Sequence, residues 1–233
     1  QAGRALYLQR GDETHVFHLQ LRRDKARPAW DHESIGHAVS RDLIHWQELP
    51  VALRKGPKGS YDDSWALFTG CAVEHDKTVY LYYCANHQPA DRCRQSMCLA
   101  TSPAGDGIRF TRYAGNPIIE PDPERYYSIH EAPAPFRFHA WPHIDCRDLA
   151  VVKDPAGEGW FGYVMMRRKG QPDAFHSACI ALCRSKDLLH WDVGDPCCTP
   201  NRFNCFEVPD VFELDSKWYL IALTGDVYGQ SER

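Results

Sequence analysis

A seven-residue text occurs twice, far apart in the chain. Ser40-Arg41-Asp42-Leu43-Ile44-His45-Trp46 returns as Ser185-Lys186-Asp187-Leu188-Leu189-His190-Trp191, and a degenerate copy, Ala100-Thr101-Ser102-Pro103 running on to Phe110, lies between them. Each copy follows a short apolar segment (35–39, 97–100, 180–183), so each reads as a strand, a turn carrying Ser and Asp, and a further strand anchored by an aromatic. A second unit recurs beside it, an apolar strand, a polar turn and an aromatic-rich strand: 71–73 with 79–83, 149–152 with 160–164, 211–214 with 218–222, and at the start 5–8 with 15–19. No helical periodicity rivals these hairpins. Repetition of a four-stranded antiparallel sheet predicts an all-β chain, a β-propeller.

The count sets the domain plan. Residues 1–233 read as a single propeller domain holding three full blades and the first hairpin of a fourth. A propeller buries its sheet edges by closing, and the smallest rings have about four blades, so the propeller is expected to be incomplete in this chain. A β-sandwich is the alternative, but it gives no reason for one turn text to recur between similar hairpins.

Composition removes several functions. The longest apolar stretch, 79–85, is far shorter than the roughly 20 residues a membrane helix needs. Lys and Arg (27) are outnumbered by Asp and Glu (31) with no basic block, so neither nucleic acid nor membrane is an expected partner. Ten Cys contain no CxxC, and several sit in apolar runs such as Tyr82-Tyr83-Cys84-Ala85, as buried free thiols would. That usage, in a chain that starts at Gln1 with no signal peptide, leans toward a cytoplasmic location. His15 with His18, and His139 with His143, fall on opposite faces of a strand, which favours packing over ligation. Neither a metal nor a cofactor is expected, and the sequence leaves the oligomeric state open.

Most carboxylates sit in turns, as Asp12, Asp76, Asp154 and Asp215 do, where Asp bonds its own backbone. Two differ. Asp148 opens a strand of the third unit, and Glu207 stands at the matching place in the fourth. First strands of blades line the central channel, so both side chains should converge on its axis. A charge flanked by apolar strand residues is costly unless paired, hydrated or functional.

Four segments carry a family resemblance. They are Ile35-Gly36-His37-Ala38-Val39-Ser40 through Leu43-Ile44-His45-Trp46 to Leu49-Pro50-Val51-Ala52-Leu53; Ser60-Tyr61-Asp62-Asp63 with Phe68-Thr69-Gly70-Cys71-Ala72-Val73; Arg147-Asp148; and Phe206-Glu207-Val208-Pro209-Asp210-Val211-Phe212. The text resembles the five-bladed β-propeller glycosidases, most closely glycoside hydrolase family 32 (β-fructosidases, including invertases and levanases) and more distantly family 43. The resemblance implies a retaining hydrolase acting on a carbohydrate substrate, fructosides or related furanosides, through paired carboxyls about 5–5.5 Å apart. It makes Glu207 the acid/base and Asp148 the transition-state stabiliser, with Arg147 holding the site. Asp63 or Asp62, Trp30 and Phe68 become candidates for substrate binding.

Three departures bear on activity. The family nucleophile is the Asp of an N-D-P-N-G-like motif, whose slot falls near Ala2, and no acidic residue precedes Asp12. Leu149 replaces the Pro of R-D-P, and Val208 the Cys of E-C-P. A non-catalytic carbohydrate-binding propeller is therefore the alternative. A protein-interaction propeller of the WD or kelch kind lacks its signatures here.

Overall fold

The computed structural model describes residues 5–21, 32–57, 59–62, 66–87, 93–103, 106–127, 137–138, 141–172 and 174–224. The first sheet runs β1 (Ala5–Arg10), β2 (Glu13–Leu21), β3 (His32–Ser40) and β4 (Gln47–Arg54), antiparallel and in chain order. In the second, β5 (Ala66–Phe68) and β6 (Ala72–His75) lie end to end along β7 (Thr78–His87). That strand pairs β8 (Cys93–Ser102), which pairs β9 (Thr111–Arg112). A small hairpin, β10 (Arg137–Phe138) and β11 (Trp141–Ile144), joins β8 in parallel. The third sheet runs β12 (Arg147–Lys153), β13 (Trp160–Arg167), β14 (Ala178–Ser185) and β15 (Asp192–Cys198), with the short helix α1 (Ala174–Ser177) before β14. β16 (Phe206–Leu214) and β17 (Lys217–Thr224) form a final hairpin.

The second sheet departs from the regular four-strand plan, and its sequence explains how. Where a longer fourth strand would pair Leu99, the side-chain amide of Asn116 does so instead, accepting from the Leu99 amide (2.8 Å) and donating to its carbonyl (2.9 Å). Ile119 then resumes the pairing opposite Met97. The fourth strand is thus split around a side chain, which leaves β9 only two residues long.

The cores lie between sheets. On β7, Leu81, Tyr83 and Ala85 pack toward Leu6, Phe17, Leu19, Ile35 and Leu53 of the first sheet. Tyr82 and Cys84, on its other face, pack toward Leu149, Val164, Met166, Cys179, Ala181 and Cys183 of the third. Strand alternation sends successive side chains to opposite faces, so a blade buried on both sides needs an unbroken apolar run. A third core joins Met165, Ala178 and Ile180 to Phe206, Leu220 and Ala222 of the last hairpin. The nine cysteines whose side chains are described form no disulfide, and burial pushes the thiols of Cys71, Cys98, Cys179 and Cys183 up to about 12, so they serve as small apolar fillers.

Candidate active site

Each of the last three units breaks its first strand at the same place. Phe68 stands opposite Cys84 while Ala72 stands opposite Leu81, with residues 69–71 between β5 and β6. On β12 the partners step from Met165 at Arg147 to Tyr163 at Ala150, and on β16 from Leu223 at Glu207 to Ile221 at Asp210. Both are β-bulges, which re-aim side chains at the rim of a sheet. Asp148 (φ 59°) and Val208 (φ 50°) hold the bulges in the left-handed region, where a non-glycine residue is strained and a β-branched one more so. Gly70 meets a tight requirement of its own, because a Cβ there would lie 2.4 Å from the Tyr82 carbonyl oxygen.

The register corrects one expectation. Glu207 corresponds to Arg147, and Asp148 to Val208, so the two carboxylates do not occupy matching positions. Alternation through equivalent bulges therefore sets a guanidinium against a carboxylate across neighbouring first strands. Arg147 Nη2 donates to Glu207 Oε1 (3.0 Å), and its Nε lies 3.6 Å from Asp148 Oδ2. Asp148 is also gripped by the Thr69 hydroxyl and by the Val208 amide, which donates to Oδ2 at 3.1 Å. One side chain thus holds both carboxylates, and the bulges of β12 and β16 meet there with Thr69 from the break between β5 and β6.

Their environments differ. The Asp148 side chain is 1% exposed and that of Glu207 28%, so the first is fixed within the protein and the second reaches solvent. Behind Arg147 lies Asp145, which accepts from Arg147 through Oδ1 and from Arg167 through Oδ2. Gln95 accepts a further bond from Arg147 at 3.2 Å. Burial opposes the charge on Arg147, but the carboxylates of Asp145, Asp148 and Glu207 outweigh it and hold the guanidinium protonated. Burial and the nearby Glu207 charge push the Cys205 thiol up to about 11, which keeps it neutral beside the site.

Of the other expected residues, two make contacts of their own and the rest fall outside the described residues. Asp62 is 3% exposed, and its carboxylate accepts from Tyr83 Oη (2.9 Å), Arg112 Nε (2.5 Å) and Ser60 Oγ (3.0 Å), which ties the end of the first sheet to the second. Phe68 is half-buried, packs against both neighbouring cores and meets the ring of His32 edge-on. Asp63, Trp30 and the nucleophile slot near Ala2 fall outside the described residues. Thr69, Gln95, Asp145 and Arg167 were not singled out in the sequence. Only the crowding of three charges in Asp145-Cys146-Arg147-Asp148, ahead of an apolar strand, hinted at Asp145.

Comparison with known proteins adds an independent line. Residues 10–230 match the family model described as the glycosyl hydrolases family 32 N-terminal domain. A sucrose-6-phosphate hydrolase of Zymomonas mobilis is 32% identical over 219 residues, covering 88% of this chain and 37% of that protein. A levanase of a Bacillus species is 29% identical over 234 residues, 91% of this chain and 21% of its own length. Among solved structures, a Bombyx mori GH32 β-fructofuranosidase superposes with a TM-score of 0.69 at 22% identity, over 95% of this chain and 41% of that one. Fructan 1-exohydrolase IIa from Cichorium intybus gives 0.71 at 18% identity, over 98% and 40%. These structures share the propeller fold, and the chain spans well under half the length of the curated relatives it matches. The chain belongs to glycosyl hydrolase family 32, within its N-terminal domain.

Proposed function

We propose that this protein hydrolyses β-fructofuranosides, with Glu207 as acid/base and Asp148 as the stabiliser of positive charge in the sugar ring. The observation that carries the reading is the single guanidinium of Arg147, which holds both carboxylates where the bulges of β12 and β16 face each other. Glu207 is exposed enough to exchange a proton with a leaving oxygen and then with water. Asp148 is held by a hydroxyl and an amide, so its orientation is set before a sugar arrives and it can receive developing oxocarbenium charge without reorganising. In a retaining scheme a further carboxylate attacks the anomeric carbon, and its slot on the first blade precedes the described residues.

The substrate class draws on the relatives, which include sucrose-6-phosphate hydrolases and a levanase, and on a Bombyx mori β-fructofuranosidase variant whose structure holds sucrose. Fructose release from sucrose, levan and inulin tests the reading. Release from at least one is expected, with Glu207→Gln and Asp148→Asn each lowering turnover by roughly 10²–10⁴-fold. No release from any of the three, or wild-type turnover in either variant, contradicts it.

A further inference from the structure

Arg147 poses a problem for the residue beside it. A guanidinium within hydrogen-bond distance of a carboxyl favours its ionised form, whereas a general acid must carry a proton when substrate is bound. The structure contains a counterweight. Asp145, 4% exposed, takes one bond from Arg147 and one from Arg167, so it sits between two guanidiniums as their shared anion. Arg167, also 4% exposed, is fixed in turn by the Asn204 carbonyl (2.9 Å) and the Ser177 hydroxyl (3.2 Å). These contacts tie it to the loop before β16 and to α1. Asp145 therefore does not float with Arg147. It is anchored from the far side.

We propose that the Arg167–Asp145 pair is a positioning device for the acid/base: it orients Arg147 toward Glu207 and draws off part of its charge, so that Glu207 can hold a proton. The inference rests on the assignment of Glu207 as acid/base, and it adds two residues that act on it through Arg147. The groups acting on Glu207 include Arg147 and Asp148 from β12, Arg167 from β13 through Asp145, and the Cys205 thiol just ahead of its own strand. From β17 the residue opposite Glu207 is the apolar Leu223. The charge on Arg147 is therefore shared among Asp145, Asp148 and Glu207, and removing one member redistributes it over the rest.

The two substitutions carry opposite signs. Asp145→Asn removes the shared anion, leaves the charge of Arg147 to Glu207 and Asp148, and lowers the pH at which Glu207 loses its proton. Arg167→Gln leaves Asp145 wholly to Arg147, screens that charge more, and raises it. Each shift is expected to be about one pH unit. The test is a carbon-13 NMR titration of the 233-residue chain labelled at the glutamate carboxyl carbon, with the Glu207 signal assigned by its loss in Glu207→Gln. Opposite shifts support the device. Shifts of one sign in both variants, or an unmoved titration in a folded variant, overturn it, because a merely structural ion pair would alter stability alone. If Asp145→Asn does not fold, the upward shift in Arg167→Gln decides the matter by itself. The titration needs no turnover, so a protein that cleaves no fructoside would refute the proposed function while the positioning role was still measured.

Discussion

His37 shows how much one residue can reveal and conceal. In the sequence it is one of twelve histidines, inside a segment that resembles a family motif. In the structure it is 2% exposed, stacked on Phe17 at 4.3 Å, and its Nε2 lies 2.9 Å from Nδ1 of His15. Burial, then the charges of His15, His18 and Arg10, press its pKa down from 6.5 to about 4. The unfolded chain therefore binds a proton first. The stabilisation from neutral His37 is complete above about pH 6.5 and lost as pH falls toward 4, amounting to up to about 3 kcal/mol. Urea unfolding between pH 7 and 4 should show a steep loss of stability that His37→Gln flattens. An equal slope in both proteins would contradict the buried, neutral assignment. The pairing with His15 was not legible because it depends on register between two strands, which the spacing of His15 and His18 does not report.

At the scale of elements, the repeated turn was the most legible feature, and the structure gives its mechanism. Ser185 Oγ accepts from the amides of Asp187 (3.2 Å) and Leu188 (2.9 Å), while Asp187 Oδ1 accepts from those of Leu189 (2.9 Å) and His190 (2.8 Å). Ser40 and Asp42 repeat the same bonds, and Leu43 and Leu188 share a positive φ. The degenerate copy keeps the chemistry with a longer spacing, because Asp106 Oδ1 accepts from Ser102 at 2.6 Å and from the Ile108 amide at 2.8 Å. What the text could not show is its surroundings. Leu188 is 0% exposed and its carbonyl accepts from Tyr82 Oη at 2.8 Å, whereas Leu43 is 63% exposed. Ser185→Ala should therefore cost about 1–2 kcal/mol and Ser40→Ala about half as much, by urea unfolding. Equal losses would mean that the neighbouring blade contributes nothing. Burial resists the charge on Asp187, but the His190 imidazole and the His190 and Leu189 amides prevail and hold its carboxyl at about 2. Its contribution is present above about pH 4 and fades as pH falls toward 2.

At the scale of the molecule, the hairpin repeats and their apolar runs implied sheets stacked face to face, and the cores between successive sheets are that arrangement. The last hairpin shows the same logic from the other side. Its inward residues Phe206 and Val211 are buried, while Trp218, Tyr219, Ile221 and Leu223 are exposed, with no described strand beyond β17. The two carboxylates were legible as residue types out of place in apolar strands. The role of Arg147 in holding the site was legible only through the family resemblance; that it bonds Glu207 and lies beside Asp148 follows from bulges that shift the register of β12 and β16 in the same sense. The proposed chemistry depends on that meeting of strands. It is tested most directly by kcat/KM of Glu207→Gln, which reports the bond-breaking step alone, relative to wild type, on sucrose and on p-nitrophenyl β-D-fructofuranoside, whose leaving group departs without protonation. With Glu207 as the proton donor, the variant should lose roughly 10²–10⁴-fold on sucrose and far less on the activated substrate. An equal loss on both substrates, or no loss on sucrose, would contradict the account.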